Sequence, residues 1–167
     1  MGDLITDRPT ETFGPMMVQL ARQWRSELDR RLSPFGLTQA RWRVLIVLDK
    51  KNRPVVQQEL AEILGIQGPT LVRTLDGLQA QGLIIRRSLP SDGRTKGVLL
   101  TDKAMPTVKQ IKSVINNVNK AIFNGIAEED LQQCLSVFEQ IHRNLDQFST
   151  VNTQESVPPQ NDEREPQ

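Results

Sequence analysis

The chain has 167 residues, 37% of them hydrophobic, with one cysteine, one histidine and a formal net charge of +1. That size and apolar content allow one domain of ordinary dimensions to bury a core. No apolar run approaches the roughly 20 residues a membrane helix needs. A lone cysteine excludes an internal disulfide framework, and Asp3 and Asp7 stand where a secretory signal would be basic and then apolar. The expectation is an intracellular chain with no membrane partner.

Residues 1–12 are polar and irregular and read as a flexible N-terminus. From Phe13, the apolar positions Phe13, Met17, Leu20, Ala21, Trp24, Leu28 and Leu32 recur in steps of three and four, which predicts an amphipathic helix ending near Ser33-Pro34. Phe35-Gly36-Leu37 makes a turn. Thr38 is placed to cap a helix over Gln39–Lys50, with Trp42, Leu45, Ile46 and Leu48 as its core contacts. The loop Lys51–Pro54 leads into a module over residues 55–101.

Within that module, Val55–Ile66 reads as a short helix with Leu60, Ile63 and Leu64 inward, closed by Gly65 in a left-handed turn. Pro69 fits the first turn of the next helix, where Leu71, Leu75 and Leu78, with Val72 beside them, mark the core side. Helix, glycine turn, helix is a helix-turn-helix layout, here about residues 57–80. The other face of the second helix carries Gln67, Thr70, Arg73, Thr74, Gly77 and Gln81, with no acid among them. Short polar groups plus a guanidinium can meet base edges and phosphates in a major groove.

After Gly82, the apolar runs Leu83-Ile84-Ile85 and Gly97–Leu100 flank the turn-rich Ser88–Lys96, a β-hairpin pattern. Arg94 and Lys96 near its tip suit a narrow minor groove. From Arg73 to Lys96, five basic residues face two acids, a local charge of +3 inside a chain of +1. A hairpin beside a helix-turn-helix is a winged helix.

Thr101 is placed to cap a long helix to about Asn124, with Met105, Val108, Ile111, Ile115, Val118 and Ile122 as its stripe and Pro106 in its first turn. A last helix, Glu128 to about Phe148, carries Leu131, Leu135, Phe138, Ile141, Leu145 and Phe148. Its acids Glu128, Glu129 and Asp130 suit the positive helix end, and Ala127 leaves it without a side-chain cap. Residues 149–167 hold three prolines and a local charge of −3, and read as a disordered acidic tail. The long terminal helices, 13–35 and 102–148, have more apolar stripe than one module can cover. They are expected to intertwine with a second copy, and a two-fold dimer implies a pseudo-palindromic site. The fold class is therefore mostly α with a small β-hairpin wing: a winged helix-turn-helix domain plus a helical dimerisation region.

The run Gln58–Ile66, the block Pro69–Leu78, Gly82-Leu83-Ile84, the wing Ser91–Lys96 and the following Leu99-Leu100-Thr101 resemble MarR-type transcriptional regulators over residues 13–148. The SlyA-like branch shares Leu71-Val72-Arg73-Thr74-Leu75-Asp76 and the N-terminal Leu20–Arg25 pattern. The resemblance implies a homodimeric activator or repressor in the bacterial cytoplasm, associated with the nucleoid. It would act on double-stranded DNA at A·T-rich promoters, including those of virulence or stress genes. Gln67, Pro69, Thr70 and Arg73 would meet the major groove, and Arg94, held by Asp92, the minor groove. Arg86, Arg87 and Lys96 would contact phosphates. The resemblance also implies a cleft where Arg22, Arg25, Trp42 and Thr74 bind a small aromatic carboxylate effector such as salicylate. Guanidinium pairs with carboxylate and an indole stacks on the ring. The alternative places Trp42 in the core and the arginines in surface ion pairs with Glu27 or Asp29.

Nothing points to catalysis or a cofactor. His142 and Cys134 lie on the last helix and read as an interface histidine and a structural thiol. One of each cannot assemble the usual zinc site within one chain, and neither a phosphate-cradling glycine motif nor a nucleophile–base pair is present. Two other classes fit the same residues. One is an architectural DNA-binding protein of low specificity that antagonises nucleoid silencing. The other is a winged helix used for protein contacts, against which Arg73 and Arg94 argue.

Overall fold

The computed structural model describes residues 8–89 and 92–154, with the backbone alone for residues 89, 92–95 and 149–154. Contacts divide the chain into two units, the first ending at Ile122 and the second beginning at Phe123.

In the first unit, α1 spans Pro9–Leu32 and starts earlier than its apolar stripe, because Pro9 suits a first helical turn. Of α1 only Leu28 and Leu32 are buried. Its N-terminal half leaves Met17, Val18 and Leu20 exposed, Val18 by 62%. A 3-10 turn, Ser33–Phe35, leads to α2, Gln39–Lys51. Thr38 precedes α2 in extended conformation, but its side chain makes no capping bond. Its carbonyl instead accepts the first helical bond, from the Trp42 amide at 3.0 Å. Trp42, Val44, Leu45 and Leu48 of α2 are buried. The helix ends at Asn52 in the left-handed conformation, φ 48°, which asparagine's short polar side chain tolerates better than most.

Val55–Val56 forms strand β1, not the start of a helix. Two β-branched residues behind Pro54 favour extended backbone, and they add a third strand to the expected hairpin. Helix α3 follows at once, Gln57–Leu64, then α4, Gly68–Ala80. In α3, Leu60 and Leu64 are buried as expected, whereas Ile63 is 42% exposed. Strands β2, Ile84–Leu89, and β3, Asp92–Leu100, complete an antiparallel sheet of order β1-β3-β2. Its register pairs Val55 with Val98 and runs from Ile84 opposite Leu100 to Ser88 opposite Lys96, with an irregularity after Ser88.

Thr101 does not cap α5. Its hydroxyl donates to the Gly82 carbonyl at 2.6 Å, tying the end of β3 to the end of α4. A 3-10 turn, Asp102–Ala104, intervenes before α5, Met105–Ile122. Val108, Ile111 and Val118 of α5 are buried, and the helix packs against α1 and α2. The core of this unit lies where α2, α3, α4 and the sheet meet, with Leu45, Leu60, Leu75, Leu78, Ile84 and Val98 fully buried. Each such side chain contributes about 1.5–3 kcal/mol of burial.

The second unit is built on α6, Glu128–Gln154, which runs past the expected end at Phe148. Leu135 is 60% and Phe148 67% exposed. Cys134 is an exposed free thiol. The acidic tail beyond residue 154 lies outside the described residues. No described helix is long and apolar enough to cross a membrane, and the described residues hold no cluster of three or more potential metal ligands.

Candidate nucleic-acid interface

Gly65 sets the angle between α3 and α4. At φ +61° it occupies the left-handed region, and it lets the Ile66 amide bond back to the Ala61 carbonyl at 3.1 Å. The chain then re-enters a helix at Gly68, with Gln67 extended as the cap residue and Pro69 in the first turn. Gln67 makes no side-chain cap bond, so its amide stays on the surface.

Leu71, Leu75 and Leu78 pin one side of α4 to the core with 1% exposure or less. The opposite side is therefore presented outward: Gln67, Pro69, Thr70 and Arg73 are exposed, while Thr74 and Gly77 are half-buried. The Thr74 hydroxyl donates to the Thr70 carbonyl at 2.9 Å, which keeps it on its own helix. Arg73 forms no ion pair among the described residues.

Strand alternation separates two adjacent arginines. Ile84 is fully buried on β2, so Arg86 shares its inward face and Arg87 points outward. Arg86 has a side chain only 18% exposed, and its Nη1 donates to Asp76 Oδ1 at 2.7 Å. Among the described residues, its Nε and Nη2 are buried without a partner. This residue straps the wing to α4; its phosphate-contacting expectation meets an internal partner instead. Arg87 is exposed opposite Gly97, and Lys96 is exposed opposite Ser88. Asp92 and Arg94 lie on β3 next to the wing tip, and their expected ion pair lies outside the described side chains.

Two acids near this surface, Glu59 and Asp76, are ion-paired within the fold. Glu59 of α3 takes Arg53 at 2.5 Å and Lys51 at 3.0 Å. Those hydrogen bonds, Arg53 first, hold its carboxyl below the usual carboxylate range. Glu62 accepts from Gln58 at 3.1 Å. With Asp76 committed to Arg86, the exposed cations Arg73, Arg87 and Lys96 keep their charge for an external anion. A helix of polar donors flanked by exposed cations can bind a phosphate backbone and reach base edges.

The four expected effector residues differ in burial: Arg22 and Arg25 are exposed, Thr74 is half-buried and Trp42 is buried. Trp42 is buried, 6% exposed, and its indole N–H donates to Asp29 Oδ1 at 2.8 Å, while Gln39 donates to Asp29 Oδ2 at 3.1 Å. The indole is thus packed in the core. Glu27 takes Arg30 and Arg31, leaving Arg22 exposed and Arg25 bonded through Nε to the Ala21 carbonyl at 3.0 Å. Arg25 lines an open depression of about 290 Å³ with Ala21, Trp24 and Leu28. Trp24 was legible only as a core position, and its place beside Arg25 depends on the stripe facing outward. Arg43, not singled out in the sequence, donates Nη2 to the Leu64 carbonyl at 2.8 Å and so stabilises the end of α3. Burial, then the nearby Arg25 charge, lowers its pKa.

The model of the MarR family matches residues 35–95. A solved structure of transcriptional regulator PA3341 is 42% identical, with TM-score 0.77, 81% of this chain covered and 98% of that one. The transcriptional repressor CouR, solved bound to a 23-mer DNA duplex, is 27% identical, with TM-score 0.69 and coverage of 84% and 99%. The regulator SlyA shares the fold at 20% identity, TM-score 0.69 and coverage of 82% and 96%. The chain belongs to the MarR family of winged-helix transcriptional regulators.

Proposed function

We propose that the protein is a sequence-selective DNA-binding regulator that acts as a homodimer on pseudo-palindromic, A·T-rich promoter sites. The observation that carries this reading is the outward face of α4, where Gln67, Thr70 and Arg73 are exposed and Arg73 has no ion pair among the described residues, while Glu59 and Asp76 are ion-paired inside the fold. Gln67, Pro69, Thr70 and Arg73 meet the major groove, Arg94 with Asp92 the minor groove, and Arg87 and Lys96 the phosphates. Arg86 sets the angle of the wing through Asp76. That CouR was solved on a DNA duplex supports the same use of the fold.

Met17, Val18 and Leu20 on α1, and Leu135 and Phe148 on α6, leave apolar surface exposed on each unit. A second copy would cover it. The two reading helices then face half-sites about one helical turn apart, near 34–36 Å.

A small aromatic carboxylate modulates this binding. Its acid pairs with Arg25, with Arg22 nearby on α1, and its ring lies against Trp24. An effector with higher affinity for a dimer of mismatched spacing shifts the population away from DNA. Titration with salicylate at fixed DNA tests this: displacement in wild type, lost in Arg25→Ala, supports it, and identical behaviour of the two proteins overturns it. No catalytic role is assigned.

A further inference from the structure

Gly77 sits in the interior of α4, where a helix disfavours glycine relative to alanine. A Cβ built there would stand 2.8 Å from Nη2, 3.7 Å from Cζ and 3.8 Å from Nε of Arg41. The guanidinium from α2 therefore lies across the bare backbone of α4, in a space that any side chain at 77 would fill.

That space is on the reading face. At about 100° per residue, Gly77 points roughly 40° from Arg73 and roughly 20° from Thr70, well away from Leu71, Leu75 and Leu78. Arg41 has no ion pair among the described residues, although eight such pairs form elsewhere in them. Three carboxylates of the surrounding elements are committed elsewhere, Asp76 to Arg86, Glu59 to Arg53 and Lys51, and Asp29 to Trp42 and Gln39, and Glu62 accepts from Gln58.

We propose that Arg41 is a DNA-backbone contact of this interface, supplied from outside the helix-turn-helix, and that Gly77 is the notch that seats it. The inference rests on the DNA-binding reading above. Position decides between phosphate and base. Residues at the N-terminal end of a recognition helix reach the bases, whereas Gly77 is near the C-terminal end of α4, beside the groove wall. A planar guanidinium there matches a phosphate bidentately. Its binding contribution is independent of sequence.

The test is fluorescence anisotropy of the full chain on an A·T-rich palindromic duplex and a scrambled duplex, over a salt series. Arg41→Ala lowers affinity several-fold on both duplexes alike and reduces the salt slope by about 1. Arg41→Lys retains most of the slope. Gly77→Ala raises Tm, because alanine is the better helix former, and yet lowers affinity. In the Arg41→Ala background it lowers affinity no further. Unchanged affinity and slope in Arg41→Ala, with wild type binding normally, overturns this inference alone. An equal loss from Gly77→Ala in both backgrounds removes the notch. Failure of wild type to bind either duplex overturns the DNA-binding reading and this inference with it.

Discussion

At position 73 a guanidinium stands on the outer face of α4 with no carboxylate of the described residues to hold it, while at position 86 another is turned inward onto Asp76. The two arginines should respond differently to mutation. Arg73→Ala should lower operator affinity by about 1–3 kcal/mol and relax discrimination between sequences, with Tm unchanged. Arg94→Ala should lower affinity several-fold at matched salt, a loss read by the same titration. Asp76→Ala acts through the fold, since it leaves the guanidinium of Arg86 buried with no partner. It should lower stability by about 1–3 kcal/mol in a thermal melt, discounted toward the lower end because Asp76 is 58% exposed. Arg86→Met, which removes the buried charge altogether, should be milder than Asp76→Ala. The outward face of α4 was legible from helical spacing alone. The Arg86–Asp76 strap was not, because it depends on which phase of β2 faces α4, and neighbouring arginines give no sign of that phase.

Among the elements, α1 carries an ion-paired carboxylate whose contribution depends on pH. Hydrogen bonds from Arg30 and then Arg31 hold the Glu27 carboxyl at about 2, below its ordinary 4.5. A carboxylate depressed by folding stabilises above its unfolded pKa, and that contribution is lost as pH falls. The stability difference between wild type and Glu27→Gln should therefore be constant above about 4.5 and vanish toward about 2. It should be small, because the pair is solvent-screened. Thermal melts of both proteins from neutral to acid pH check this; a difference that widened on acidification would contradict it. Six helices and the hairpin could be read from periodicity and turn residues. What could not be read were local choices decided by tertiary contacts. Val55–Val56 became a strand because β3 offered an edge, and Thr101 turned to Gly82 and left the cap of α5 unmade. Trp42 was visible both as core and as ligand wall, and its bond to Asp29 depends on how α1 packs against α2.

For the whole molecule, the apolar residues left exposed on α1 and α6 are the surfaces on which the proposed dimer rests. Val18→Glu and Leu135→Glu should each shift the protein toward monomer in sedimentation velocity, and both should weaken binding to a two-half-site duplex more than to a single half-site. The expectation of paired dimerisation helices came from stripe length, which the chain displays openly. The partner's contribution to any effector cleft could not be read, since it depends on how two copies meet. The most direct measurement is fluorescence anisotropy of the purified protein with an A·T-rich palindromic promoter duplex and with a scrambled duplex, at one physiological salt concentration. Sequence-selective regulation predicts binding to the palindrome at least tenfold tighter than to the scramble. Equal affinity for both duplexes would contradict it and leave an architectural DNA-binding protein in its place.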